Sequence, residues 1–152
     1  MVKKIALFFI ILSTFIFIFF FKKCKKQGNE RLIEDKEKLI NNVMFTGIVE
    51  DVILSSNHGF GIVKLRVLES SITKKCKADL DQYFPYHIEE GKAELYSVVS
   101  SIEETGDTIK VDSNNLNFYY SIDGKEKKGE LFMIRGKLAK DFIDLHTELK
   151  CE

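Results

Sequence analysis

The chain has 152 residues, 23 basic and 23 acidic side chains, 45% apolar residues and a mean hydropathy of -0.08. These values exclude a multidomain machine and a disordered tail, and they leave room for one small domain. The averages hide an asymmetry, because 7 of the 13 Phe residues precede residue 22, in a block that carries no acid.

From Ile5 to Phe21 run 17 residues without a charge, of which only Ser13 and Thr14 are polar. Lys3 and Lys4 precede the run, and Lys22, Lys23, Lys25 and Lys26 follow it. As a helix such a run spans roughly 26 Å, close to the lower limit for a bilayer core of about 30 Å, and the flanking lysines reach outward to close the gap. A helix apolar on every side has nothing in so small a domain to cover it, so residues 1–21 are expected to form a transmembrane helix.

Retention of this segment as a single-pass signal-anchor is favoured over cleavage. The run is longer than an ordinary signal core, and the small residues that a signal peptidase needs are missing between Phe19 and Asn29. Lipidation at Cys24 is disfavoured by Phe21, Lys22 and Lys23 just ahead of it. Lysine counting would put the domain in the cytoplasm, whereas a four-residue stub before an apolar run is the layout of an uncut export signal. The balance is taken toward the extracytoplasmic side.

Residues 22–42 form a basic juxtamembrane linker with seven bases and four acids, and residues 43–152 carry fourteen bases and nineteen acids, a net charge of -5. Basic residues thus gather where anionic lipid attracts them. Asn29 as N-cap, the apolar stripe Leu32, Ile33, Leu39 and Ile40, and Asn41 with Asn42 at the stop predict a short helix over 29–42.

From Met44 the apolar period becomes strand-like. Met44 to Leu54 predicts a strand whose phase shifts at Glu50 and Asp51, the mark of a bulge. After the turn residues Ser55 to Gly59, Val63, Leu65 and Val67 alternate with Lys64 and Arg66 as a half-buried strand. Ser70 to Gly91 is irregular and is expected to be a long connection with one helical turn. Ala93 to Ile102 and Ile109 to Val111 predict two more strands, with a turn at Glu103 to Asp107 between them. Leu116, Phe118, Tyr120 and Ile122 share one face of a strand, and Asp123-Gly124 is a hairpin signal leading to a strand that ends at Leu131 to Ile134. After Gly136, Leu138, Phe142, Leu145 and Leu149 predict a terminal amphipathic helix covering an end or edge of the sheet. The fold class is therefore mainly β: a membrane helix, then over residues 43–152 a small antiparallel β-barrel or rolled sheet, OB-like, with a C-terminal helix.

The loop Ser55 to Gly61 is the most distinctive candidate site. Its glycines let backbone approach a ligand closely, and His58 titrates near neutrality. Asn57, His58, Gly59, Phe60 and Gly61, with Tyr83 and Tyr86 from the aromatic group around Phe84, are the candidate ligand-binding residues. His58, His87 and His146 are too scattered for a metal motif, and no cofactor or metal is expected. The acids at Glu89-Glu90, Glu103-Glu104 with Asp107, and Asp79 with Asp81 sit at predicted turns and are read as solvated. In an exported domain Cys76 is expected to pair with Cys151, leaving Cys24 odd beside the membrane.

Met44-Phe45-Thr46-Gly47-Ile48-Val49-Glu50 resembles the opening strand of riboflavin synthase, a family of two tandem barrel repeats. The likeness covers seven residues of 152. The family's lumazine-binding motifs do not follow, and no site residue is carried over. The expected function is a membrane-anchored, non-catalytic β-domain binding a protein or envelope component. A small enzyme built on the His58 loop is the alternative. A nucleic-acid-binding OB-like module is opposed by the acidic charge, unless Lys125, Lys127, Lys128, Arg135 and Lys137 join in one patch.

Overall fold

The computed structural model describes residues 2–56, 59–79, 82–99, 105–122 and 124–150. Two compact units result, residues 1–35 and residues 36–152. Helix α1 runs without interruption over Val2–Leu39, so the separate helix expected from Asn29 is the continuation of a single one. No proline interrupts residues 2–39, and Gly28 alone is too weak a breaker to end a helix. Termination comes where expected, at Asn42, whose φ of 59° is the left-handed conformation that asparagine tolerates.

Among the described residues no helix is long and apolar enough to cross a membrane. After Ile16 to Phe21, α1 meets Lys22, Lys23, Lys25 and Lys26, and from Glu30 it is rich in charge. The side chains of residues 2–12 and 15, which make up much of the expected membrane segment, lie outside the described residues.

The second unit is mainly β. Strands β1 (Met44–Leu54), β2 (Phe60–Ser70), β3 (Lys74–Lys75), β6 (Tyr86–Glu89), β7 (Lys92–Val98), β8 (Thr108–Asp112), β9 (Asn117–Ile122) and β10 (Lys125–Glu130) form one eight-stranded sheet in the order β10-β9-β8-β1-β2-β7-β6-β3. All its pairings are antiparallel. The sheet is open, since its order runs from β10 to β3 without a pairing that joins these two ends. It is thus not a closed barrel. Two short strands, β4 (Ala78–Asp79) and β5 (Gln82–Tyr83), pair separately, so the stretch expected to be a loop with a helical turn is built from short strands instead.

The phase shift read at Glu50 and Asp51 is a register shift between Val49 and Asp51 in the β1–β2 pairing, and a second shift lies between Thr46 and Gly47. On one face of the sheet Phe45, Val63, Leu65, Leu95, Ile109, Val111 and Phe118 form the main core with Tyr86 and Ile88. The other face is covered by α2 (Lys137–His146), whose Ile143 packs with Phe60, Ile62, Tyr96 and Ile134.

The stripe expected to anchor this helix is corrected. Leu138 and Leu145 are 72% and 77% exposed, while Ile143 is fully buried and Ala139 and Phe142 pack beside it. The helix ends at His146, with Thr147 as its C-cap, so Leu149 is buried from beyond the helix. The helix also lies against a face of the sheet rather than an edge, because Phe60, Ile62 and Tyr96 need an apolar cover there.

Candidate functional site beneath the C-terminal segment

Strand alternation sends Lys64 of β2 and Glu94 of β7, which are paired in register, toward the α2 side, and His87 of β6 stands directly opposite Glu94. Glu94 is only 2% exposed. Its Oε2 accepts hydrogen bonds from the Tyr96 hydroxyl at 2.7 Å and the Thr147 hydroxyl at 2.6 Å, and its Oε1 accepts one from the backbone N–H of Glu148 at 2.9 Å. A buried carboxylate is tolerable only when its lone pairs are engaged in this way. Glu94 thereby fastens the chain just after α2, residues 147–149, to the sheet.

Two ion pairs extend the same fastening. Lys64 Nζ lies 2.6 Å from Glu148 and 3.1 Å from Asp51. The Glu148 hydrogen bond raises the Lys64 pKa against the opposing effect of burial, and Lys64 lowers that of Glu148 in return. Lys77 Nζ lies 2.7 Å from Asp144 of α2, whose other oxygen accepts the Tyr83 hydroxyl at 2.7 Å. Burial, then Asp144, pushes the Tyr83 phenol up to about 12. Burial alone would raise Asp144, but the Lys77 and Tyr83 hydrogen bonds outweigh it and hold the carboxyl below its usual range.

His87 differs from its neighbours. It is wholly buried, and among the described residues neither ring nitrogen has a hydrogen-bond partner; Glu89 Oε2 is 3.8 Å from Nε2, and the other oxygen of Glu89 is paired with Lys74 at 2.7 Å. Burial lowers the imidazole pKa, the nearby Glu94 and Glu89 oppose that shift, and Lys77 and Lys74 add to it. The ring is therefore neutral at neutral pH.

A cleft of about 180 Å³ opens beside this network, lined by Glu50, Asp51, Lys64, Lys92, Glu94 and Glu148 among others. Its chemistry is that of a fastening. Glu94, Glu148 and Asp144 each accept from neighbouring donors: the Tyr96 and Thr147 hydroxyls and the Glu148 N–H bond Glu94, Lys64 bonds Glu148, and Lys77 and the Tyr83 hydroxyl bond Asp144. Among the described residues no group of three or more His, Cys, Asp or Glu is placed to hold a metal ion.

The sequence candidates fall elsewhere. Asn57, His58 and Cys151 lie outside the described residues, as do Asp81, Glu103, Glu104 and Asp123. Gly59 has a φ of 74°, a turn conformation that glycine adopts without strain. Phe60 packs edge-on against Phe142 with centroids 6.2 Å apart. Gly61 is required by packing, since a Cβ there would collide with Val99 Cγ2 and the Ile53 carbonyl oxygen.

Tyr86 belongs to the core. It has no exposed surface, packs edge-on against Phe45 and donates its hydroxyl to Asn41 at 2.9 Å. Phe84 is likewise buried, and of the aromatic group Tyr83 alone is half exposed. Tyr83 and Tyr86 therefore do not form one exposed surface: Tyr83 on β5 is half exposed, whereas Tyr86 on β6 lies wholly inside.

Cys76 is disulfide-bonded and Cys24 is free and exposed. The lysines proposed for a nucleic-acid patch are divided, because Lys127 pairs with Tyr120 and Lys128 with Tyr119 on successive, oppositely facing positions of β10. His87 enters the sequence reading only as one of three scattered histidines and Glu94 not at all, although a lone carboxylate between Ala93 and Leu95 in an apolar strand is a usable signal. Thr147 offered none. Comparison with protein-family models, with curated proteins and with solved structures finds no match.

Proposed function

We propose that this protein is a membrane-tethered, non-catalytic β-domain held on the extracytoplasmic side, where it binds a protein or envelope component. The observation that carries the reading is the disulfide at Cys76 in the folded unit, against a free Cys24 beside the basic stretch. Disulfides persist in oxidising compartments. The uncharged run Ile5 to Phe21, with lysines on both sides, supplies the tether.

The end of the β1–β2 hairpin is the favoured contact region. Leu54, 59% exposed, and Val98, 45% exposed, stand there beside the turn from Ser55, which donates its N–H to the Phe60 carbonyl at 2.8 Å. Exposed aliphatic side chains at a hairpin end suit contact with another macromolecule.

Intact cells treated with a membrane-impermeant thiol reagent test the reading. Labelling of Cys76 only after reduction is expected; labelling only after lysis would place the domain in the cytoplasm and overturn the proposal. A photo-crosslinking residue at Leu54 is expected to trap a partner in the envelope, and one at Lys127 on the far edge strand is not. Equal yields at the two positions would remove the hairpin end as the contact region.

A further inference from the structure

The polar face under α2 contains one group that the fastening network does not use, the buried imidazole of His87. It lies opposite the carboxylate on which residues 147–149 depend. We propose that His87 and Glu94 form an acid-sensitive latch: protonation of His87 draws the Glu94 carboxylate away from Thr147 and Glu148 and releases the C-terminal segment from the sheet.

The geometry gives the steps. A proton from solvent binds a ring nitrogen of His87, both of which lack a partner among the described residues. The new cation sits in a site from which water is excluded, so it requires a counterion. The groups that face it are Glu94 on β7, Glu89 on its own strand, Lys74 on β3 and Lys77 just before β4. Lys77 and Lys74 repel it. Glu89 already holds Lys74 at 2.7 Å, and Lys77 is held by Asp144 on α2 at 2.7 Å. Among the described residues no cation is paired with Glu94; its three bonds come from two hydroxyls and one backbone N–H. An imidazolium adds to a carboxylate hydrogen bond the attraction of opposite charges, which the neutral donors do not supply, so the carboxylate follows the new charge. Thr147 and the Glu148 N–H then lose their acceptor, and Leu149, 8% exposed behind them, loses its cover.

The direction follows from linkage. In the latched state burial depresses the His87 pKa below its ordinary value near 6.5, whereas in the released state the Glu94 carboxylate pairs with the cation and offsets that depression. Latching is complete above about pH 6.5 and weakens as the pH falls below it. Each unit of separation between the two states corresponds to about a tenfold change in the latch equilibrium.

Amide hydrogen exchange of the full chain in detergent micelles, compared at pH 7.5 and pH 5.0 after correction for intrinsic exchange, tests the latch. Residues 147–150 are expected to lose about tenfold in protection at the lower pH while the amides of β1 and β2 keep theirs. In His87→Gln the loss is expected to vanish. Unchanged protection in the wild type, or the same loss in His87→Gln, would overturn the proposal, the second by assigning the effect to carboxylates. Should that variant fail to fold, the proton resonances of His87 in the wild-type chain decide: a ring that titrates with loss of the Glu148 amide contact supports the latch, and one that stays neutral down to pH 5 refutes it.

Discussion

The two faces of the sheet are closed by different means. The face bearing Val63, Leu65, Leu95, Ile109 and Phe118 is sealed by hydrocarbon, with the Tyr86 hydroxyl led out to Asn41. The face toward α2 has a smaller apolar group around Ile62, Tyr96 and Ile143, and beside it lie the buried polar residues Lys77, His87 and Glu94. A hydrocarbon face is insensitive to pH and intolerant of lost volume. A polar one is intolerant of a lost hydrogen-bond partner and responds to protons.

The largest expected effect is on the apolar face. Phe118 is 1% exposed, stacks on Tyr120 and lies directly over Gly129, where a Cβ would strike its ring. Phe118→Ala is expected to cost about 3–5 kcal/mol in urea unfolding of the full chain in detergent. A cost below about 1 kcal/mol would mean that the outer strands β8, β9 and β10 contribute little to the core.

On the polar face Glu94→Ala leaves three donors without their acceptor and is expected to cost about 2–3 kcal/mol in the same measurement. Glu94→Gln keeps the shape and half of the acceptors, so it should cost less. If the two variants were equal, the carboxylate charge would be the decisive feature of the polar face.

Solution pH separates the faces next. The depressed His87 pKa gives a contribution present above about pH 6.5 and lost as the pH falls. The depressed Glu148 and Asp144 carboxyls contribute above their ordinary values of 4.5 and 3.8 and add a second loss in stronger acid. Tyr83 works in the opposite direction: its phenol, raised from 10.0 to about 12, favours the fold below pH 10 and ceases to do so as the pH rises toward 12. Thermal unfolding followed from pH 4 to pH 11 should show both limbs, and Tyr83→Phe should flatten the alkaline one.

The smallest effect belongs to the solvated ion pair Arg66–Glu50 at 3.2 Å, with side chains 56% and 49% exposed. Arg66→Ala is expected to shift stability by less than about 0.5 kcal/mol, because water screens such pairs. A larger change would show that β1 and β2 depend on the charges along their solvated stretch.

The readable elements were those with local signals. The strands Met44–Leu54 and Phe60–Ser70 and the shift near Glu50 follow from period and phase alone. The region 74–89 was not readable as strands, because two-residue strands carry no period. The buried side of α2 was legible only in part. Phe142 meets Phe60 as its place in the stripe implies, but Ile143 and Ala139, rather than Leu138 and Leu145, complete the contact with Phe60, Ile62 and Tyr96. The candidate site was legible only in part, since the His58 loop stood out by composition while Glu94 and His87 gain their meaning from partners 53 residues and one strand away.

By itself the sequence determined the uncharged run ahead of the lysines, the mainly β character of residues 43–152, the place of the bulge and the presence of a terminal helix. These depend on interactions between near neighbours along the chain, which spacing and residue type encode directly. The tertiary structure alone decided that the sheet stays open, which side of α2 is buried, that Tyr86 belongs to the core, and that a histidine and a glutamate meet beneath the C-terminal segment. Those outcomes rest on contacts between residues far apart in the chain, where burial and pairing are set by what the other strands bring to the same face.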